Sequence, residues 1–230
     1  MAGEKAFDLV IFDYDGTLSD TRRAIAHCLE RALTQQRGVA PPAAQITAVV
    51  TEGLSLQETC LRLDRDLAGH SAALNEIVVT YRTLYRREGE ALIEVFAGVG
   101  EALQELHAAG ITSIVVSNKG IEAVRRSLDS CGLSDLVDCV FADEPGIPRK
   151  PDPALLTDHV QPKYPKIDRR RMMMVGDTEI DIQFANAAGI TCCWAAYGFG
   201  DKERCRALEP AHVIERIANL SAIILRGDRR

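Results

Sequence analysis

The stretch Leu9-Val10-Ile11-Phe12-Asp13-Tyr14-Asp15-Gly16-Thr17 decides the fold, because four consecutive apolar residues run straight into two carboxylates and a glycine. A short unbroken apolar run predicts a strand buried on both faces, which requires a parallel sheet with helices on either side. Ile114 to Ser117, Met172 to Asp177 and, more weakly, Val137 to Asp143 repeat the pattern, and Thr191 to Trp194 reads as a further strand. Between these runs the apolar spacing is helical. Val99, Ala102, Leu103 and Leu106 precede Gly110; Ile121, Val124 and Leu128 precede Gly132; Ile180, Phe184, Ala187 and Ala188 precede Gly189. The alternation predicts an α/β protein with a doubly wound, mostly parallel sheet and a Rossmann-like core.

From residue 19 to about 94 no run is strand-like and the apolar spacing stays helical. Ile25, Cys28, Leu29, Ala32 and Leu33 form one stripe, with Asp20 or Thr21 as its N-cap. Leu74, Ile77, Val78, Tyr81 and Leu84 form a second, and Pro41, Pro42 and Gly53 mark breaks. Residues 1–18 and 95–230 are therefore expected to build an α/β core, and 19–94 an inserted helical domain hinged near Leu18 to Asp20 and Phe96 to Gly98.

The chain of 230 residues is 47% hydrophobic and 26% charged, an ordinary composition for a folded protein. Its 27 basic and 33 acidic residues leave a net charge of −6, which argues against nucleic-acid or anionic-membrane partners. The basic runs Arg169 to Arg171 and Arg229-Arg230 read as a solvated loop and a charged tail. No apolar run approaches the roughly 20 residues of a membrane span. Met1 to Lys5 lead into the first strand without the apolar segment of a signal peptide, so a cytoplasmic location is expected. The seven cysteines form no C-x-x-C and have no zinc-finger spacing to histidine; they read as reduced, buried small hydrophobes. Neither charge nor pattern assigns an oligomeric state.

In such sheets ligands bind at the carboxyl ends of the strands, so the polar residues there are the candidates. Asp13 and Asp15 could bind a cation or divide the roles of nucleophile and acid/base. A calcium loop does not fit, because the glycine comes fourth rather than sixth and an apolar strand precedes the run. Ser117-Asn118-Lys119-Gly120 offers a hydroxyl and backbone N–H groups to an anion, or is a plain helix cap. Lys150 lies in the loop Arg149-Lys150-Pro151-Asp152-Pro153, where its plain reading is a solvated surface lysine. Asp177 and Asp181 put two acids at a strand-to-helix turn, suited to a hard cation.

Taken in order, Asp13-x-Asp15-Gly16-Thr17, Ser117, Lys150, and Gly176-Asp177 with Asp181 resemble the four motifs of the haloacid dehalogenase superfamily of phosphatases, and the resemblance spans the whole chain. It implies a nucleophilic Asp13, an acid/base Asp15, and phosphoryl oxygens held by Ser117 and Lys150 with Asn118 and Thr17 beside them. It further implies Mg²⁺ on Asp13, Asp177 and the backbone carbonyl of Asp15, with Asp181 orienting a metal-bound water or Lys150, and Thr17 positioning Asp15. An acid at position 15 favours phosphatases and phosphomutases over dehalogenases. Asn118-Lys119 and Trp194 followed by Tyr197-Gly198 look most like the phosphoglycolate phosphatase group, whereas the loop Asp143 to Arg149 and the inserted Ala195-Ala196 depart from it. The implied partner is a small phosphorylated substrate.

A phosphomutase shares this core. A receiver-type phospho-acceptor domain needs about half the length and carries its aspartate on a middle strand, and a silent binding protein would not need every catalytic position filled. Glu52-Gly53-Leu54-Ser55 is the insert loop expected to face the site, with Gly53 setting specificity, and Arg22, Arg23, Arg62 and Arg65 are candidates for a substrate carboxylate.

Overall fold

The computed structural model describes residues 5–226, so Met1 to Glu4 and the basic pair Arg229-Arg230 lie outside the described residues. In chain order the strands are β1 (Leu9–Phe12), β2 (Ser19–Asp20), β3 (Glu94–Val95), β4 (Thr112–Gly120), β5 (Cys139–Asp143), β6 (Met172–Gly176), β7 (Thr191–Ala195) and β8 (His212–Ile214). Six of them form one parallel sheet in the order β5-β4-β1-β6-β7-β8. Every residue of β1 is fully buried. Because successive side chains alternate across a strand, Leu9 and Ile11 pack with Met172, Met174, Ile182 and Phe184 on one face, while Val10 and Phe12 pack with Leu103, Leu106, Val115 and Val124 on the other.

Between β2 and β3 lie α1 (Arg22–Arg37), α2 (Ala43–Val50), α3 (Leu56–Leu63) and α4 (Ser71–Leu84), the last continued by a π-helical turn over Tyr85–Gly89. Their apolar stripes close on one another around Cys28, Leu29, Leu33, Ile46, Cys60, Ile77 and Leu84. The sheet is flanked by α5 (Val99–Ala108), α6 (Ile121–Ser130), α7 (Gln161–Lys163), α8 (Glu179–Ala188), α9 (Lys202–Ala207) and α10 (Leu220–Arg226).

Four strands differ from the sequence expectation. The stems of the insert are themselves strands: β2 and β3 pair antiparallel, Ser19 with Val95 and Asp20 with Glu94, too briefly to leave a periodic signal. The edge strand β8 is three residues long, with His212 and Val213 not buried, and so lacks a continuous apolar run. The second predicted strand continues through Asn118 and Lys119 to Gly120 with a register shift after Val116. Gly120, not Ser117, therefore stands at the N-cap of α6, which rules out the plain helix-cap reading of Ser117.

The order of the six strands places the site. Chain connections run outward from β1 through β4 to β5 on one side, then return to β6 and run outward through β7 to β8 on the other. α5, which leads into β4, and α8, which leaves β6, pack on opposite faces of the sheet, and a crevice opens at the carboxyl ends of β1 and β6. Among the described residues no helix is long and apolar enough to cross a membrane. Truncating Phe12, which is fully buried in the centre of the sheet, should lower the unfolding free energy by about 3–5 kcal/mol. Urea unfolding followed by Trp194 fluorescence should show Phe12→Ala with a lower midpoint and an unchanged slope.

Candidate active site

Asp13 leaves β1 and Asp177 leaves β6, so the two acids meet at the crevice by topology alone. The Asp13 N–H still donates to Val175 O at 2.9 Å, which holds the residue in line with the strand. Asp177 is wholly buried beneath the cavity floor, where Oδ1 accepts from Thr17 Oγ1 at 3.1 Å and Oδ2 from the Phe199 N–H at 2.6 Å. Trp194 Nε1 donates to the Asp177 carbonyl at 3.0 Å. Gly16 makes this approach possible: its φ is +85°, and a Cβ there would lie 2.2 Å from Asp177 Oδ2.

Asp181 sits one turn into α8. Its Oδ2 accepts from the N–H and the hydroxyl of Thr178, at 3.0 and 2.9 Å, in a capping box. Its Oδ1 takes a 2.7 Å bond from Lys150 Nζ, which also reaches Asp13 Oδ1 at 2.8 Å. Lys150 is buried, contrary to its plain reading as a surface lysine. Burial opposes its charge, but Asp13 and Asp181 outweigh that and hold it protonated. Burial pushes the Asp13 carboxyl up to about 6 despite Lys150, and burial together with Asp181 and Asp13 raises that of Asp177. Asp13, Asp177 and Asp181 each offer an oxygen within 4.8 Å of the others. Three buried carboxylates against one ammonium, all oxygen donors, fit a hard divalent cation.

These bonds correct the expectation for Thr17 and show what the Asn118 side chain does. Thr17 was expected to hold phosphate and position Asp15; it is fully buried, and its hydroxyl is given to Asp177. Asn118 was expected among the phosphate ligands. Its side chain is spent on the Lys150 backbone, accepting from the N–H at 2.9 Å and donating to the carbonyl at 3.0 Å, which fixes the loop that carries the buried ammonium. Ser117 lines the cavity beside Asp13, and its Oγ accepts from the Lys119 N–H at 3.4 Å.

Asp15 is held by other partners. Thr21, at the N-cap position of α1, makes no cap bond; its hydroxyl donates to Asp15 Oδ1 at 2.6 Å. Lys119 Nζ donates to the same oxygen at 2.8 Å. Burial opposes the Lys119 charge, yet the carboxylate of Asp15 outweighs that and holds it protonated. The sequence reading placed Lys119 at a strand end without assigning it a contact.

A cavity of about 1340 Å³ lies between the strand ends and the helical insert, lined by Asp13, Asp15, Ser117, Lys119, Lys150 and Asp181. Gly53 also lines it, with φ +69°; a Cβ there would come 2.8 Å from Thr178 Oγ1, so the close fit of its backbone against α8 demands glycine. The arginines proposed from sequence do not line it. Arg22 pairs with Asp20, Arg23 with Glu94 and Arg62 with Glu52. Arg82, Arg86, Arg126 and Arg149 line it instead. Arg82 and Arg86 follow α4's polar spacing and are indistinguishable in sequence from a solvated helix face.

The haloacid dehalogenase-like hydrolase profile matches residues 10–195. The chain belongs to that family. Within it the chain is a phosphatase, similar to the phosphoglycolate phosphatase group. A phosphoglycolate phosphatase of Vibrio vulnificus is 29% identical over 229 residues, covering 96% of this chain and 98% of that one. Another, of Neisseria gonorrhoeae, is 30% identical over 194 residues, covering 84% and 81%. The crystal structure of a predicted phosphoglycolate phosphatase from Haemophilus somnus superposes with a TM-score of 0.82 at 22% identity, covering 96% of this chain and 99% of that one.

A carboxyl with a raised folded-state pKa binds its proton more tightly folded than unfolded. For Asp13 the stability cost therefore grows as pH rises from 3.8 to about 6 and is fully present above that range. Cation binding relieves it. A divalent salt at 100 times its dissociation constant should add about 2.7 kcal/mol of stability. Thermal melts with MgCl₂ or MnCl₂ should show a larger rise in Tm at pH 7.5 than at pH 5, and Asp177→Asn should abolish it; an equal rise at both pH values would place the ion elsewhere.

Proposed function

We propose that this phosphatase hydrolyses a small phosphorylated metabolite, phosphoglycolate-like, with Mg²⁺ and through an aspartyl-phosphate on Asp13. One observation carries the reading: Asp13 and Asp15, two residues apart, line the same cavity but are held by different ammonium groups, Lys150 and Lys119. Two carboxylates with separate environments can take separate roles. The printed names of the relatives support the substrate class.

In the first step an Asp13 oxygen forms a bond to phosphorus while the bond from phosphorus to the leaving oxygen breaks, and Asp15, protonated, delivers its proton to that oxygen. In the second, Asp15 takes a proton from water, the water oxygen bonds to phosphorus, and the bond to Asp13 breaks to release inorganic phosphate. Lys150 and Ser117 hold the phosphoryl oxygens, and Asn118 keeps Lys150 in place through its backbone. Mg²⁺ held by Asp13, Asp177 and the Asp15 carbonyl, with Asp181 behind them, would offset the repulsion between an anionic nucleophile and an anionic phosphate. We assign residues 1–18 and 95–230 to the core and 19–94 to the cap, and place the protein in the cytoplasm, which suits seven free cysteines.

Asp13→Asn should remain folded, with a single cooperative melt, and lose several powers of ten in turnover of phosphoglycolate, each decade being about 1.4 kcal/mol of barrier. Acid quenching of the wild type with radiolabelled substrate should trap phosphate on Asp13. Near wild-type turnover by the variant would sink the covalent route, and conversion of a hexose 1-phosphate to its 6-phosphate without phosphate release would make the enzyme a mutase.

A further inference from the structure

Lys119 is the second lysine of the cavity, half-buried where Lys150 is buried, and the hydrolytic scheme gives it no step. It projects from the end of β4 with a side chain only 9% exposed. Its Nζ donates to Asp15 Oδ1 at 2.8 Å and to the Tyr85 hydroxyl at 2.9 Å, and lies over the rings of Tyr85 and Tyr14, 4.4 and 5.7 Å from their centres. Tyr85 belongs to the helical insert, so this ammonium ties a core carboxylate to the cap. Lys150 serves Asp13 and Asp181 instead, and no described bond links Lys119 to those two acids.

The two donors to Asp15 converge on one atom. Thr21 Oγ1 and Lys119 Nζ both reach Oδ1, whereas Oδ2 accepts from no described residue although Asp15 lines the cavity. A carboxylate anchored through one oxygen by a charge-assisted bond and a hydroxyl has little freedom to rotate, and presents the other oxygen in a fixed direction. Proton transfer requires that oxygen to stand within hydrogen-bond reach of the leaving group.

We propose that Lys119 is the positioning residue of Asp15: with the cap's Tyr85 it clamps Oδ1 and leaves Oδ2 to carry the proton to the leaving oxygen and later to take one from water. The proposal rests on the hydrolase reading above. It assigns Lys119 to proton transfer and not to holding phosphate, and the two assignments separate by leaving group. A 4-nitrophenolate leaves without a proton, whereas an alkoxide needs one. Loss of Lys119 should therefore slow transfer from an alkyl phosphate while sparing the first transfer from an aryl phosphate.

The test uses Mg²⁺-loaded wild type, Lys119→Met and Tyr85→Phe with phosphoglycolate and 4-nitrophenyl phosphate, in steady state and by stopped flow. Lys119→Met should lower kcat on phosphoglycolate about ten- to a hundredfold, leave KM within about threefold, and release the first equivalent of 4-nitrophenolate near the wild-type rate before a slower steady state. Tyr85→Phe, which deletes one hydroxyl, should give the same pattern at about two- to fivefold, and decides the matter if Lys119→Met does not fold. Equal slowing of the first turnover on both substrates, a rise in KM on both, or unchanged turnover of phosphoglycolate would overturn the assignment. Failure of the wild type to turn over either substrate would instead overturn the hydrolase reading.

Discussion

The ammonium of Lys150, taken out of water between Asp13 and Asp181, is the interaction on which the rest of the site depends. A buried ion pair is favourable only when its geometry is good and the remaining lone pairs are satisfied, because desolvation of each ion costs several kcal/mol. The structure meets both conditions by committing neighbours to the pair. Asn118 clamps the backbone of Lys150, Thr178 takes the second oxygen of Asp181, and Thr17 with the Phe199 N–H takes both oxygens of Asp177. The side chains of Thr17, Asn118 and Thr178 thus support the charged groups, and the surplus of carboxylate is what makes the cluster receptive to a cation.

The sheet supplies the precision that such a cluster needs. β1 and β6 pair directly, with Phe12 beside Val175, so Asp13, one residue on, and Asp177, two residues on, are delivered to the crevice by backbone hydrogen bonds and not by flexible side chains. Small residues then set how closely the loops approach. A methyl at Gly16 would collide with Asp177, and one at Gly53 with Thr178. The second contact means that the insert loop touches the capping box that aims Asp181, so a larger residue at Gly53 would press on α8 as well as on the cavity.

Much of this was legible in the sequence because the strongest signals were local. Unbroken apolar runs gave the buried strands, and an acid or hydroxyl directly after each run gave Asp13, Ser117 and Asp177. What stayed hidden depends on contacts between distant residues. Nothing in Thr21 or Thr17 says which carboxylate each hydroxyl will reach, since the choice is made by the path of the loop between β1 and β2. The three-residue β8 and the two-residue stems β2 and β3 exist because longer strands and the chain crossing offer them partners; alone they carry no period. The arginines were misplaced for the same reason, as helical charge patterning reports exposure but not which exposed face looks into a cleft.

The cavity walls show how such a site can discriminate without strong local charge. Arg149 is bonded to Asp143, which Arg82 approaches at 4.0 Å, and Arg126 is bonded to Glu90. Partnered cations offer a substrate less attraction than free ones, since an incoming anion must displace a carboxylate already in place. Arg86 has no described partner and stands on the turn next to Tyr85. Across the cleft, Ile25, Leu29, Leu54, Leu56, Ile121 and Ile147 give the same space apolar walls. On the proposed reading the phosphoryl end would be held by Ser117 and Lys150 of the core, while the other end would meet a mixed surface shared between cap and core. Under that reading affinity for the second end would depend on how the cap seats, and the bonds from Lys119 to Tyr85 and Asp15 would connect the same seating to the carboxylate proposed to move the proton.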